Sequence, residues 1–185
     1  SSDNQIVKPV IGVIAHMSQT VPGAKLLNEL NAVNLLLPHL HSTDPGIKKN
    51  ALIAIGNAAK QDIVKSMGVL GESDQYIKIL NMLPKRDPTA NDKVKRAVVD
   101  ILHLIAAHYY KHGDHVQCEE FAQSLSSNQE CLVIIIYYGL TTGDFRLKKS
   151  VQQLQKLLTN PEFSTLATTF RDQIALLAAR LEAQK

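Results

Sequence analysis

Tryptophan is missing from this 185-residue chain, and the other aromatics are scarce, with four Phe and five Tyr. The core must therefore be aliphatic, built from Leu, Ile, Val and Ala. Cysteine is scarcer still. Cys118 and Cys131 are the only two, far from the dense framework of small disulfide-stapled secreted domains. That usage predicts a reducing compartment, cytoplasmic or nuclear. No long hydrophobic run exists either: the longest, Cys131 to Tyr138, is eight residues, whereas a membrane span needs about 20. No signal-peptide pattern opens the chain, so no membrane role is expected. Twenty Lys plus Arg against seventeen Asp plus Glu leave a net charge of +3, too small to imply nucleic acid by itself. With 45% hydrophobic and 20% charged residues, the composition is that of a folded globular chain and excludes a disordered tail.

What the sequence does contain is helical periodicity. Ile6, Val10, Val13 or Ile14, and Met17 share one face of a first helix, which stops before Pro22-Gly23. Leu26, Leu27 and Leu30 begin a second; Val33, Leu36, Leu37 and Leu40 form a third. Asp44 before Pro45 is an N-cap followed by proline at the first helical position. Further helices are predicted near 62–70, 75–83, 92–110, 115–125, 129–140, 145–159 and 162–183. The segment Leu132–Tyr138 is β-branched and aromatic, which favours a strand on propensity. It has no second strand to pair with, so its backbone groups would go unsatisfied. A fully buried helix is the expectation.

Internal repetition is the most informative feature. The run Val33, Leu36, Leu37, Leu40 recurs as Tyr76, Ile79, Leu80, Leu83. The helix beginning Ile47-Lys48-Lys49-Asn50-Ala51 returns as Val94-Lys95-Arg96-Ala97-Val98, and more faintly as Leu147-Lys148-Lys149-Ser150-Val151. The spacings of 43 and 47 residues between the first two copies fall in the range of armadillo and HEAT arrays, about 40–47. The stretch Leu30–Asp62 resembles an armadillo repeat. It has a Leu-rich helix, a short polar loop, and Ala51-Leu52-Ile53-Ala54-Ile55-Gly56-Asn57-Ala58-Ala59 matching that family's third-helix pattern. The resemblance covers residues 1–112; residues 113–185 read as a helical C-terminal extension of the same single domain. It implies an all-α, right-handed armadillo/HEAT-like solenoid, with Ile6–Ser18 closing one end. The charged face of Arg171, Asp172, Arg180 and Glu182 would close the other, since solenoids need polar-faced caps.

The function that follows is non-enzymatic: a scaffold or interaction module that binds a peptide or partner domain. Asn57 holds the third-helix position which, in armadillo families, bonds the backbone of an extended peptide. An amide offers both a donor and an acceptor for that task. The basic pairs Lys48-Lys49, Lys95-Arg96 and Lys148-Lys149 would form a stripe if their helices stacked in register, with Lys85-Arg86 extending it. Such a stripe suits an acidic peptide. A basic RNA-binding component is one alternative, weakened by the absence of interleaved aromatics, and a metal-dependent or cysteine enzyme is the other. His108, His112 and His115, near Asp114 and Cys118, have spacing that would permit zinc. They lack the glutamate of a His-Glu-x-x-His site, and a polar helix end before Gly113 is the simpler reading, so no metal site is expected. Nucleotide-binding glycine motifs, a Gly-x-Ser-x-Gly elbow and Cys-x-x-Cys are all missing from the sequence. No cofactor and no catalytic residue are expected.

Overall fold

The computed structural model describes residues 2–71, 73–82, 92–112, 115–161 and 167–183. Every element among them is helical, and Leu132–Tyr138 lies in a helix as the missing partner strand required. The contacts gather into two compact units, Ser1–Glu72 and Ser73–Lys185, a division the sequence alone does not suggest.

In the first unit, helices α1 (Ser2–Met17), α2 (Val21–Glu29) and α3 (Ala32–Leu36) lead to a 3-10 turn, Leu37–His41, and then to α4 (Pro45–Gln61) and α5 (Ile63–Leu70). The expected single helix through Leu40 is split because Pro38 has no N–H to donate back to the carbonyl four residues earlier. The chain tightens into the 3-10 turn at that point. Two local devices set the path. Asn31 adopts φ 52° between α2 and α3, a conformation its short amide side chain tolerates. A Cβ at Gly23 would lie 2.1 Å from the Met17 carbonyl oxygen, so only glycine lets α2 start this close to the end of α1. Buried Asn28 then ties α2 to α4, donating from Nδ2 to the Ala58 carbonyl at 2.8 Å.

The pairing of α1 with α4 organises this unit. Lys8 meets Asp44, Gly12 lies beside Asn50, and Asn57 meets Ser18, so the two helices run in the same direction. Their contact buries Ile11 and Ala15 from α1 against the Ala-rich side of α4. The core is wholly aliphatic, because no Phe, Tyr or Trp occurs before position 76.

The second unit contains α6 (Ser73–Leu80), α7 (Asp92–His112), α8 (His115–Ser127), α9 (Gln129–Thr141), α10 (Phe145–Leu158) and α11 (Ala167–Glu182). Here α7 and α10 also run in the same direction, since Arg96 pairs with Asp144 and Asp100 with Ser150. Burial coincides at three positions of the repeated sequence and differs at the lysine position, where Lys48 is half-buried, Lys95 buried and Lys148 exposed. Ala51, Val98 and Val151 occupy corresponding places and are all buried, as are Ala54, Ile101 and Leu154, and Ala58, Ile105 and Leu158. Gly139 allows α9 to press onto Val151 of α10. Ile134, Ile135 and Ile136 are buried in succession, as a helix surrounded by protein requires. No helix among the described residues is long and apolar enough to cross a membrane.

Candidate protein-binding face

Helix α4 starts where its cap dictates. The Asp44 carboxylate accepts from the Gly46 and Ile47 N–H groups at 2.7 and 3.2 Å, satisfying two of the donors a helix start leaves without partners. Lys8 Nζ donates to the same carboxylate at 2.9 Å. That bond, with the backbone donors adding to it, holds the Asp44 carboxyl below its ordinary value. From this start, 100° per residue places Ile47, Ala51, Ile55 and Ala58 inward, all buried. Lys49, Asn50, Ile53, Asn57 and Lys60 fall together on the opposite arc, partly or fully exposed.

That arc is rich in amides. Asn57 Nδ2 donates to Ser18 Oγ at 3.0 Å, and Ser18 Oγ donates to the Ala15 carbonyl at 2.7 Å. Asn57 therefore helps join α1 to α4 while remaining half-exposed. Seven residues earlier, about 10 Å along the axis at 1.5 Å per residue, Asn50 packs toward Gly12 of α1, where a Cβ would stand in ordinary contact, 3.6 Å from its Nδ2.

The sequence-predicted residues of α4 do not share one side of it. Lys48 is nine positions before Asn57, two and a half turns, so it emerges on the opposite side of α4. Lys95 is not a surface residue. It is 4% exposed, its Nζ 3.1 Å from Asp92 Oδ1 and 4.4 Å from the centroid of the Tyr138 ring. A cation held by a carboxylate and a ring face is a packing element of this unit. Arg96 Nη1 lies 3.7 Å from Asp144 Oδ2, and Asp144 in turn caps α10 through the Arg146 and Leu147 N–H groups. Lys148 and Lys149 are exposed, whereas Lys85 and Arg86 lie outside the described residues. Arg171, Asp172, Arg180 and Glu182 are all exposed on α11.

His108 and His112 do meet, with ring centroids 4.7 Å apart. Burial of His108, with His112 beside it, lowers the pKa of His108, and its Nδ1 is buried without a hydrogen-bond partner. The side chain of His115, and all of Asp114, lie outside the described residues. Among those described, no group of three potential metal ligands occurs. Cys118 is a buried thiol, and the Cys131 side chain is not among those described. One feature had no sequence signal, since it depends on residues 48 apart. Tyr76 donates to Ser124 Oγ at 3.1 Å at the edge of an open cleft of about 510 Å³ between α6 and α8, which Glu120 and Asn128 also line.

No family model matches the chain, and no curated protein or solved structure is similar enough to inform its reading.

Proposed function

We propose that the chain is an armadillo/HEAT-like α-solenoid acting as a non-enzymatic protein-binding module, and that it takes an extended peptide on the exposed arc of α4. The observation that carries this reading is the row Lys49, Asn50, Ile53 and Asn57 on one side of α4, all four half-exposed. Two amides about 10 Å apart match the spacing of three residues in an extended chain, roughly 3.3 Å each. Amides bond peptide groups without demanding a particular side chain. Lys49 adds a cation that favours an acidic partner and speeds association more than it tightens binding. The proposed surface keeps Lys49 and Asn57 from the sequence-level set. It leaves out Lys48, which points elsewhere, and Lys95 and Arg96, which serve the packing of the second unit. Peptides selected from a random phage-displayed library on the immobilised protein test it. Each selected peptide should bind Asn50→Ala and Asn57→Ala about five- to tenfold more weakly, the equivalent of roughly 1 kcal/mol per lost hydrogen bond. Undiminished binding by both variants would show that the peptide site lies on another face.

A further inference from the structure

Helix α1 has two sides of different fate. Lys8, Ile11, Ala15 and Ser18 meet the rest of the first unit. On the far side stand Ile6, Val10, Val13 and Met17, exposed to 69%, 51%, 59% and 41%. They are the very residues that periodicity marks as the core stripe, and none of the described residues of the unit covers them. The helix thus turns an apolar side outward, unlike α11, where Arg171, Asp172, Arg180 and Glu182 are exposed.

We propose that this stripe is a self-association surface, and that a second copy of the chain packs on it through its own α1. Three observations point to a second copy. The steps between the four residues are four, three and four, the alternation of the apolar seam of a coiled coil. Such a seam packs against its like, and aliphatic residues including β-branched ones suit it. Second, the four residues of the stripe are flanked by little charge. Lys8 is the only Lys, Arg, Asp or Glu between Gln5 and Met17, and its ammonium is engaged by Asp44 on the opposite side. Over that stretch a two-fold contact of α1 with α1 brings no like charges together, and isologous pairing needs only this one patch. Third, the area fits a modest dimer. Four half- to two-thirds-exposed aliphatic side chains amount to a patch on the order of 400 Å², typical of functional patches on monomers. With the exposed, uncharged Pro9 on the same helix, each copy would bury somewhat less than the roughly 800 Å² of a standard stable interface. The dimer is accordingly weak, with a dissociation constant on the order of 10 μM.

Sedimentation equilibrium of the intact chain from about 1 to 300 μM tests this, a range that brackets the expected constant. A monomer–dimer transition is expected, and amide hydrogen exchange in α1 should slow with concentration. Val10→Glu and Val13→Glu, each at a half-exposed site, should leave the circular dichroism spectrum unchanged. Each should weaken dimerisation more than tenfold by placing like charges across the two-fold axis. A wild-type monomer throughout the range would overturn the proposal and assign the stripe to a helix of another polypeptide. A dimer that both glutamate variants form unweakened would overturn it equally, by placing the contact elsewhere.

Discussion

Replacing Gly139 with alanine inserts a methyl group where α9 meets α10. The new Cβ would stand 2.6 Å from Val151 Cγ1 and 3.3 Å from its Cβ, inside van der Waals contact, and Val151 is itself only 1% exposed. Two terms oppose each other. Alanine stabilises a helix interior by about 1 kcal/mol relative to glycine, and overpacking a tight contact costs about 1–3 kcal/mol. The single variant should therefore lose up to about 2 kcal/mol. Val151→Ala alone should cost about 2 kcal/mol through lost apolar contact and the space left behind. In that background the 2.6 Å clash with Cγ1 disappears and only the 3.3 Å approach to Cβ remains, while the helical gain stays. Gly139→Ala should then stabilise by up to about 1 kcal/mol, reversing its sign. Urea titrations of the four proteins in this double-mutant cycle measure the reversal as a coupling energy. Equal effects of Gly139→Ala in both backgrounds would refute the close approach of α9 and α10, and with it the packing of the Ile134–Ile136 helix.

Further predictions concern the first unit and the acid side of the stability curve. Ile55→Asp puts a carboxylate at a site with 0% exposure and should cost several kcal/mol; an unchanged thermal transition would place this face of α4 outside the core. The carboxyl of Asp44 is held low mainly by Lys8. Its contribution is therefore complete above the ordinary carboxylate value of 3.8 and is lost as pH falls through the lowered folded value. Lys8→Met should flatten that part of the acid limb in urea titrations run across pH. His108, with its pKa lowered from 6.5 by burial, binds its proton more readily when unfolded. Stability should thus decline as pH falls below about 6.5 toward the folded value, and His108→Leu should remove this slope.

The sequence revealed elements better than it revealed their surroundings. Asp44-Pro45 locates the start of α4 because the signal is local: a carboxylate within reach of two N–H groups. The helical reading of Leu132–Tyr138 follows from the need to pair every backbone group. The α1 stripe shows the limit of periodicity, which identifies an apolar face but not what covers it. Ile6, Val10, Val13 and Met17 form the longer apolar row, yet Ile11 and Ala15 are the buried ones. They admit the close approach of an Ala-rich helix. Lys95 shows another limit. A lysine near a helix start reads as solvated until Tyr138, 43 positions away, supplies a ring for its ammonium. The Lys48–Asn57 relation was legible in the spacing alone, since two and a half turns necessarily separates two side chains by half the circumference.

The placement of the aromatics divides the protein optically. Every Phe and Tyr lies beyond position 75, and Tyr76, Tyr109 and Tyr138 are buried in the second unit. Tyrosine absorbance, fluorescence and near-ultraviolet dichroism therefore arise from that unit alone, whereas far-ultraviolet dichroism sums the helices of both. A single unlabelled sample monitored at the two wavelengths reports whether the units melt together or one after the other. If they separate, the transition seen only in the far ultraviolet is that of Ser1–Glu72, the unit with α4 and its amide row.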